Sequence, residues 1–95
     1  MELLTENLIN EKLKEIKGWF YQAKHIEKEF LFKDFSSALS FVNRVGELAE
    51  QIDHHPDLLI HSWNKVKIII STHSKGGVTS KDFELAEKIE GLNQL

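Results

Sequence analysis

The sequence predicts an α+β domain: a four-stranded antiparallel sheet with three helices packed on one face, in the order α-β-β-α-β-β-α. Three observations carry this expectation. Apolar residues recur at three- and four-residue intervals in three stretches, and between them lie two pairs of β-prone segments. Each pair is joined by a short polar turn, which makes two hairpins. Nothing in the pattern requires a βαβ crossover. The chain of 95 residues has no repeat, linker or low-complexity stretch, so residues 1–95 are expected to form a single domain.

Thr5 is placed to cap the first helix, with Leu4 positioned to staple onto Ile9. Leu8, Ile9, Leu13 and Ile16 follow at helical spacing, and Gly18 stops the run. Trp19 to Ala23 is aromatic and β-prone. Beyond a turn at Ala23-Lys24-His25, the residues Ile26, Phe30 and Phe32 share one face of a second strand, with Glu27 and Glu29 on the other. Asp34 is the expected N-cap of a long amphipathic helix built on Phe35, Ala38, Leu39, Val42, Val45, Ala49 and Ile52, ended ahead of Pro56. Phe41 and Leu48 fall off that stripe, which leaves a second apolar edge for a helix of another subunit.

Leu58 to Trp63 and Val66 to Thr72 make the second hairpin, around Asn64-Lys65. On its last strand Val66, Ile68 and Ile70 point one way, whereas Lys67, Ile69, Ser71 and His73 point the other. Gly76-Gly77 breaks the strand. Thr79-Ser-Lys-Asp82 then reads as a capping box with Val78 set to staple onto Phe83, opening a helix through Leu85, Ala86, Ile89 and Leu92.

Composition narrows the function classes. A net charge of −3, from 15 acidic and 12 basic residues without a Lys/Arg cluster, argues against direct nucleic-acid binding. Cysteine is absent, which removes disulfides, thiolate metal sites and thiol nucleophiles. No apolar run approaches the ~20 residues that span a bilayer, and no basic segment leads into an apolar one, so a soluble cytoplasmic protein is expected, with no membrane contact. A small core makes self-association a reasonable expectation.

The acid-base chemistry is concentrated in Glu50-Gln-Ile-Asp-His54-His55-Pro56 and in Ser71-Thr72-His73. At a helix carboxyl terminus two histidines can be mere terminators favoured by the dipole. Pro56 shifts the balance, because it restricts His55 to extended backbone and fixes the direction of its ring, as suits a site gripping a flat ligand. Glu50 lies one turn before His54 and can set its tautomer, or else is an ordinary exposed helix acid. A metal shared by His54, His55 and His73 is disfavoured, since adjacent histidines rarely share one ion and no H-E-x-x-H run is present. Asp82 reads as structural, the N3 residue of its capping box. Gly76-Gly77 reads as a turn and not a phosphate loop, and His25 and His61 as surface or strand residues.

Glu50-x-x-x-His54-His55-Pro56, then Asn64-Lys65-Val66, then Thr72-His73-x-x-Gly76-Gly77-Val-Thr79-x-x-Asp82 resembles the pterin-4a-carbinolamine dehydratases. Gly18-Trp19 and Phe32-Lys33-Asp34-Phe35 extend the likeness over nearly the whole chain. The resemblance implies loss of water from 4a-hydroxytetrahydropterin to give quinonoid dihydropterin, in tetrahydrobiopterin recycling beside an aromatic amino acid hydroxylase. It implies a homodimer or homotetramer, and the dehydration itself, needing only an acid and a base, demands no metal or organic cofactor. Pterin binding is carried over to His54, His55, Pro56, Thr72, His73, Ser74 and Lys75, and catalysis to His54, His55 and His73 with Glu50 in support. His54, tuned by Glu50, and His73 are expected to move the protons while His55 orients the ring. Two departures stand out: Trp63-Asn64 replaces the family's usual Tyr-Asn, and the interval from Pro56 to Val66 is one residue longer, to be absorbed by a bulge or a longer turn. The alternative reading is an interaction module, similar to family members that act as dimerisation cofactors, with the pterin site secondary or vestigial.

Overall fold

The computed structural model describes residues 2–93, and Met1, Gln94 and Leu95 lie outside the description. Three helices, α1 (Glu6–Leu13), α2 (Phe35–Ile52) and α3 (Ser80–Asn93), alternate with four strands, β1 (Phe20–Gln22), β2 (His25–Leu31), β3 (Asp57–His61) and β4 (Lys65–Ile70). The expected order α-β-β-α-β-β-α is the observed one. All pairings are antiparallel and the sheet runs β1-β2-β4-β3, so the second hairpin docks through β4 onto β2. No helix among the described residues is long and apolar enough to cross a membrane.

The inner face of the sheet is set by alternation along β2 and β4. Ile26, Phe30, Val66, Ile68 and Ile70 are buried there, and Ala38, Val45, Leu85, Ala86 and Ile89 cover them from the helices. Caps fall where the residue types place them: Thr5 Oγ1 accepts from the Leu8 N–H, and Asp34 Oδ1 from the Ser37 N–H.

Several expectations are corrected. Helix α1 stops at Leu13 and tightens into turns in which the amides of residues 14–16 bond three residues back; Leu8 is exposed. On α2 the face is rotated: Phe41 is in the core, its ring 4.9 Å from those of Phe30 and Phe32, and Leu48 packs partly against the core. Phe35 and Leu39 are exposed instead, so the spare apolar edge lies there. The first hairpin turns on Ala23 and Lys24 alone, both at positive φ, and His25 begins β2. The interval from Pro56 to Val66 holds no bulge: a three-residue turn, 62–64, closes it, and the β3–β4 register runs unbroken from Asp57↔Ile69 to His61↔Lys65. Asn64 secures this turn: Phe32 donates its N–H to the Asn64 carbonyl, and Asn64 Nδ2 donates to the Phe32 carbonyl. His73 does not continue β4; it starts a one-turn 3-10 helix, His73–Lys75.

Candidate active site

Helix α2 ends in a Schellman motif. Asp53 takes left-handed backbone (φ 52°) and donates to the Glu50 carbonyl at 3.4 Å, and the His54 N–H reaches the Ala49 carbonyl at 3.1 Å. The chain leaves the helical path one residue before the histidine pair, so His54 no longer stands one turn beyond Glu50. Its Nε2 meets Asp82 Oδ1 on α3 at 2.5 Å. Glu50 pairs with the next ring instead, its Oε2 lying 2.5 Å from His55 Nε2. The expected Glu50–His54 contact is thus replaced by two separate pairs.

The Asp82 carboxylate is fully buried. Its Oδ2 accepts from the Thr79 N–H at 2.8 Å, the capping-box bond, and from Thr72 Oγ1–H at 2.9 Å. The Thr72 and Thr79 hydroxyls are themselves 2.8 Å apart. An ionised Asp82 only accepts, so His54 Nε2 carries the hydrogen in this pair and the lone pair of the neutral ring is on Nδ1. Reading Asp82 as purely structural missed this second duty. The signal was available, because a capping carboxylate uses one oxygen on its helix and leaves the other for a second donor.

Thr72 connects this buried network to the turn that carries the third histidine. Its N–H donates to the Gly77 carbonyl at 2.8 Å, and its carbonyl accepts from Lys75 and Gly76 at 3.0 Å, closing the turn around exposed His73, Ser74 and Lys75. His73 lines a cavity of about 300 Å³ with Lys24, His25, Asp57 and Ser71. His55, Glu50 and Pro56 line a second, more apolar cavity of about 650 Å³ that runs along α2 past Gly46 and Ala49 to Leu58. The structure therefore joins His54 to Thr72 through Asp82, and His55 to Glu50. It places His73 beside His25, a residue the sequence reading set aside.

His25 is itself held. Its Nε2 lies 2.6 Å from Glu27 Oε1, an oxygen that also accepts from Gln22 Nε2 at 2.9 Å. Burial of Glu27 would push its carboxyl up, but the hydrogen bonds from His25 and Gln22, with the charges of Lys67 and His25, together hold it below the ordinary carboxylate value. The other unassigned histidine, His61, pairs with Glu29 across the outer face. Among the described residues no group of three His, Asp or Glu side chains is arranged to hold a metal ion.

Over residues 2–92 the chain matches the family described as Pterin 4 alpha carbinolamine dehydratase. Relatives bearing the pterin-4-alpha-carbinolamine dehydratase name include one from Sulfolobus acidocaldarius, 49% identical over 94% of this chain and 97% of its own. Another, from Sulfurisphaera tokodaii, is 47% identical over 97% of this chain and 98% of its own. A crystal structure titled a transcriptional coactivator/pterin dehydratase from Brucella melitensis superposes with a TM-score of 0.89 at 37% identity, covering 95% of this chain and 97% of that one. With its fold, its capping-box carboxylate and its His-His-Pro segment in place, the chain belongs to the pterin 4 alpha carbinolamine dehydratase family.

Proposed function

We propose that the protein is a hydro-lyase that removes water from a 4a-hydroxytetrahydropterin, giving the quinonoid dihydropterin, by histidine acid/base catalysis. The reaction breaks the C4a–O bond as the departing hydroxyl takes a proton and leaves as water. The N5 proton goes to a base and the N5–C4a double bond forms. No hydride or phosphoryl group moves, so two imidazoles suffice, one as general acid and the other as general base. His54 and His73 carry the protons in this reading, and His55, backed by Glu50, orients the ring together with Pro56, Thr72, Ser74 and Lys75. The single observation that supports it best is the His54–Asp82 pair. A fully buried carboxylate with three donors on it fixes one ring and one tautomer, the arrangement general acid-base catalysis uses. The family name supports the pterin substrate class; in this reading the reaction follows a hydroxylase step that leaves a 4a-hydroxytetrahydropterin, as in tetrahydrobiopterin recycling.

Stopped-flow dehydration of a synthetic 4a-hydroxytetrahydropterin tests this against the uncatalysed background. The protein should accelerate the reaction, and His54→Ala and His73→Ala should each lower kcat by about 10²-fold or more. Full activity in either variant would remove that histidine from the mechanism.

A protein-binding role for α2 is the second reading. Phe35 and Leu39, one helical turn apart, are 52% and 43% exposed, and the apolar cavity lies along the same helix. A stable hetero-complex with no dehydration activity would favour it.

A further inference from the structure

We propose that His25, held in place by Glu27, is a specificity-determining residue that binds a hydroxylated substituent of the pterin in the cavity it shares with His73; this rests on the dehydratase reading. The cavity is walled by polar groups from two strands and the segments beside them: Lys24 and His25 from the first hairpin, Asp57 from β3, Ser71 beyond β4, and His73. Only Ile69 and Ala23 add apolar side chains, too little to sandwich a flat bicyclic ring, whereas a short chain of hydroxyls finds a partner on every side. Pairing of Ile26 with Ile70 sets His25 and Ser71 next to each other one residue further along.

The support beneath His25 points the same way. Glu27 lies on the outer face of the sheet and is only 5% exposed, so burying its charge is costly. Two donors converge on one of its oxygens, from His25 at 2.6 Å and Gln22 at 2.9 Å, and Lys67 stands 3.8 Å from the other. A surface carboxylate serving only solubility needs none of this. A carboxylate that fixes an imidazole does, as behind other functional histidines. Glu27 is thereby a positioning residue. Since Nε2–H is committed to it, Nδ1 is the one ring nitrogen left for a ligand, accepting a hydroxyl hydrogen when the ring is neutral.

The test compares two carbinolamine substrates, one with a dihydroxypropyl group at C6 and one with a methyl group there. The wild-type protein should favour the hydroxylated substrate in kcat/KM by about five- to tenfold, the value of one hydrogen bond in a partly enclosed site. His25→Ala should abolish that preference by raising KM for the hydroxylated substrate alone, with kcat for both and KM for the methyl substrate unchanged. Glu27→Gln should give a partial loss of the same kind. Calorimetric binding of the corresponding 7,8-dihydropterins gives a readout independent of turnover, and circular dichroism identifies a variant that fails to fold. Retention of the preference in folded His25→Ala, or an equal fall in kcat for both substrates, overturns the assignment of His25 while leaving the dehydratase reading intact. Absence of wild-type activity on both substrates overturns the dehydratase reading and this inference with it.

Discussion

At Asp82, Oδ2 closes the first turn of α3 while Oδ1 holds the ring of His54, so replacing the carboxylate disturbs both. Asp82→Asn should lower stability by about 1–3 kcal/mol, because a buried acceptor is exchanged for a donor facing donors. It should also reduce kcat by about 10²-fold in protein shown to be folded, since the His54 tautomer is no longer fixed. Glu50 and His55 offer the contrast. Their side chains are 77% and 56% exposed, a pair worth at most about 1 kcal/mol before screening and less after it. Glu50→Gln should therefore leave the thermal midpoint nearly unchanged, and any loss of kcat would be chemical in origin. Two further carboxylates bear on acid stability. Glu27 has a folded pKa below its ordinary 4.5, so its contribution is present above the unfolded value and is lost as pH falls through the folded one. Asp34 behaves likewise, its carboxylate favoured by hydrogen bonds from Ser37 at the start of α2. Urea midpoints should fall as pH drops below about 4.5, and Glu27→Gln should flatten that fall. At this scale residue type was easier to read than partner. The sequence sets Glu50 beside His54 and leaves Asp82 to its cap, whereas the observed pairs, His54 with Asp82 and His55 with Glu50, turn on the single left-handed residue Asp53.

Among the elements, α2 was the most legible at its start and the least on its faces. Asp34 caps it as expected, because a capping side chain is a local signal, whereas the helix ends at Ile52, short of the expected run toward Pro56, on the left-handed Asp53. Two apolar stripes share Ala38, Val45 and Ala49, one adding Phe35 and Leu39 and the other Phe41 and Leu48. Helical period alone cannot choose between them. The aromatic layer of Phe30 and Phe32 on the sheet chooses Phe41. The first hairpin yields a test of turn chemistry. Lys24 sits at φ 67°, a region better suited to glycine, so Lys24→Gly should raise stability by about 0.5–1 kcal/mol in denaturant titrations. Gly18 is the converse case. At φ 88°, with an added Cβ falling 2.9 Å from Lys28 Cε, Gly18→Ala should cost about 1–2 kcal/mol, most of it from the backbone because the lysine end can move. It should also loosen the knot in which Trp19 Nε1 and Lys28 Nζ both reach Glu90 Oε2 at 2.9 and 2.7 Å, visible as a change in tryptophan emission.

For the whole molecule, strand alternation was enough to give the inner face of the sheet, since Val66, Ile68 and Ile70 admit no other register that buries them. The surroundings of the histidines were not legible in the same way, because the His54–Asp82 pair depends on how α3 lies against the end of α2, and His73 sits in a turn, His73–Lys75, with no periodic signal. Burial leaves Phe35 and Leu39 on α2, and Leu59 on edge strand β3, open to solvent. Sedimentation should detect self-association, and Leu39→Lys should weaken it if α2 is the contact while leaving monomer stability nearly unchanged. The most direct test of the catalytic account is a crystal structure with a bound dihydropterin. The account predicts N5 and C4a of the ligand held between the imidazoles of His54 and His73, each within about 3.2 Å of a reacting position or one water away. A ligand seated elsewhere, or out of reach of either ring, would contradict it.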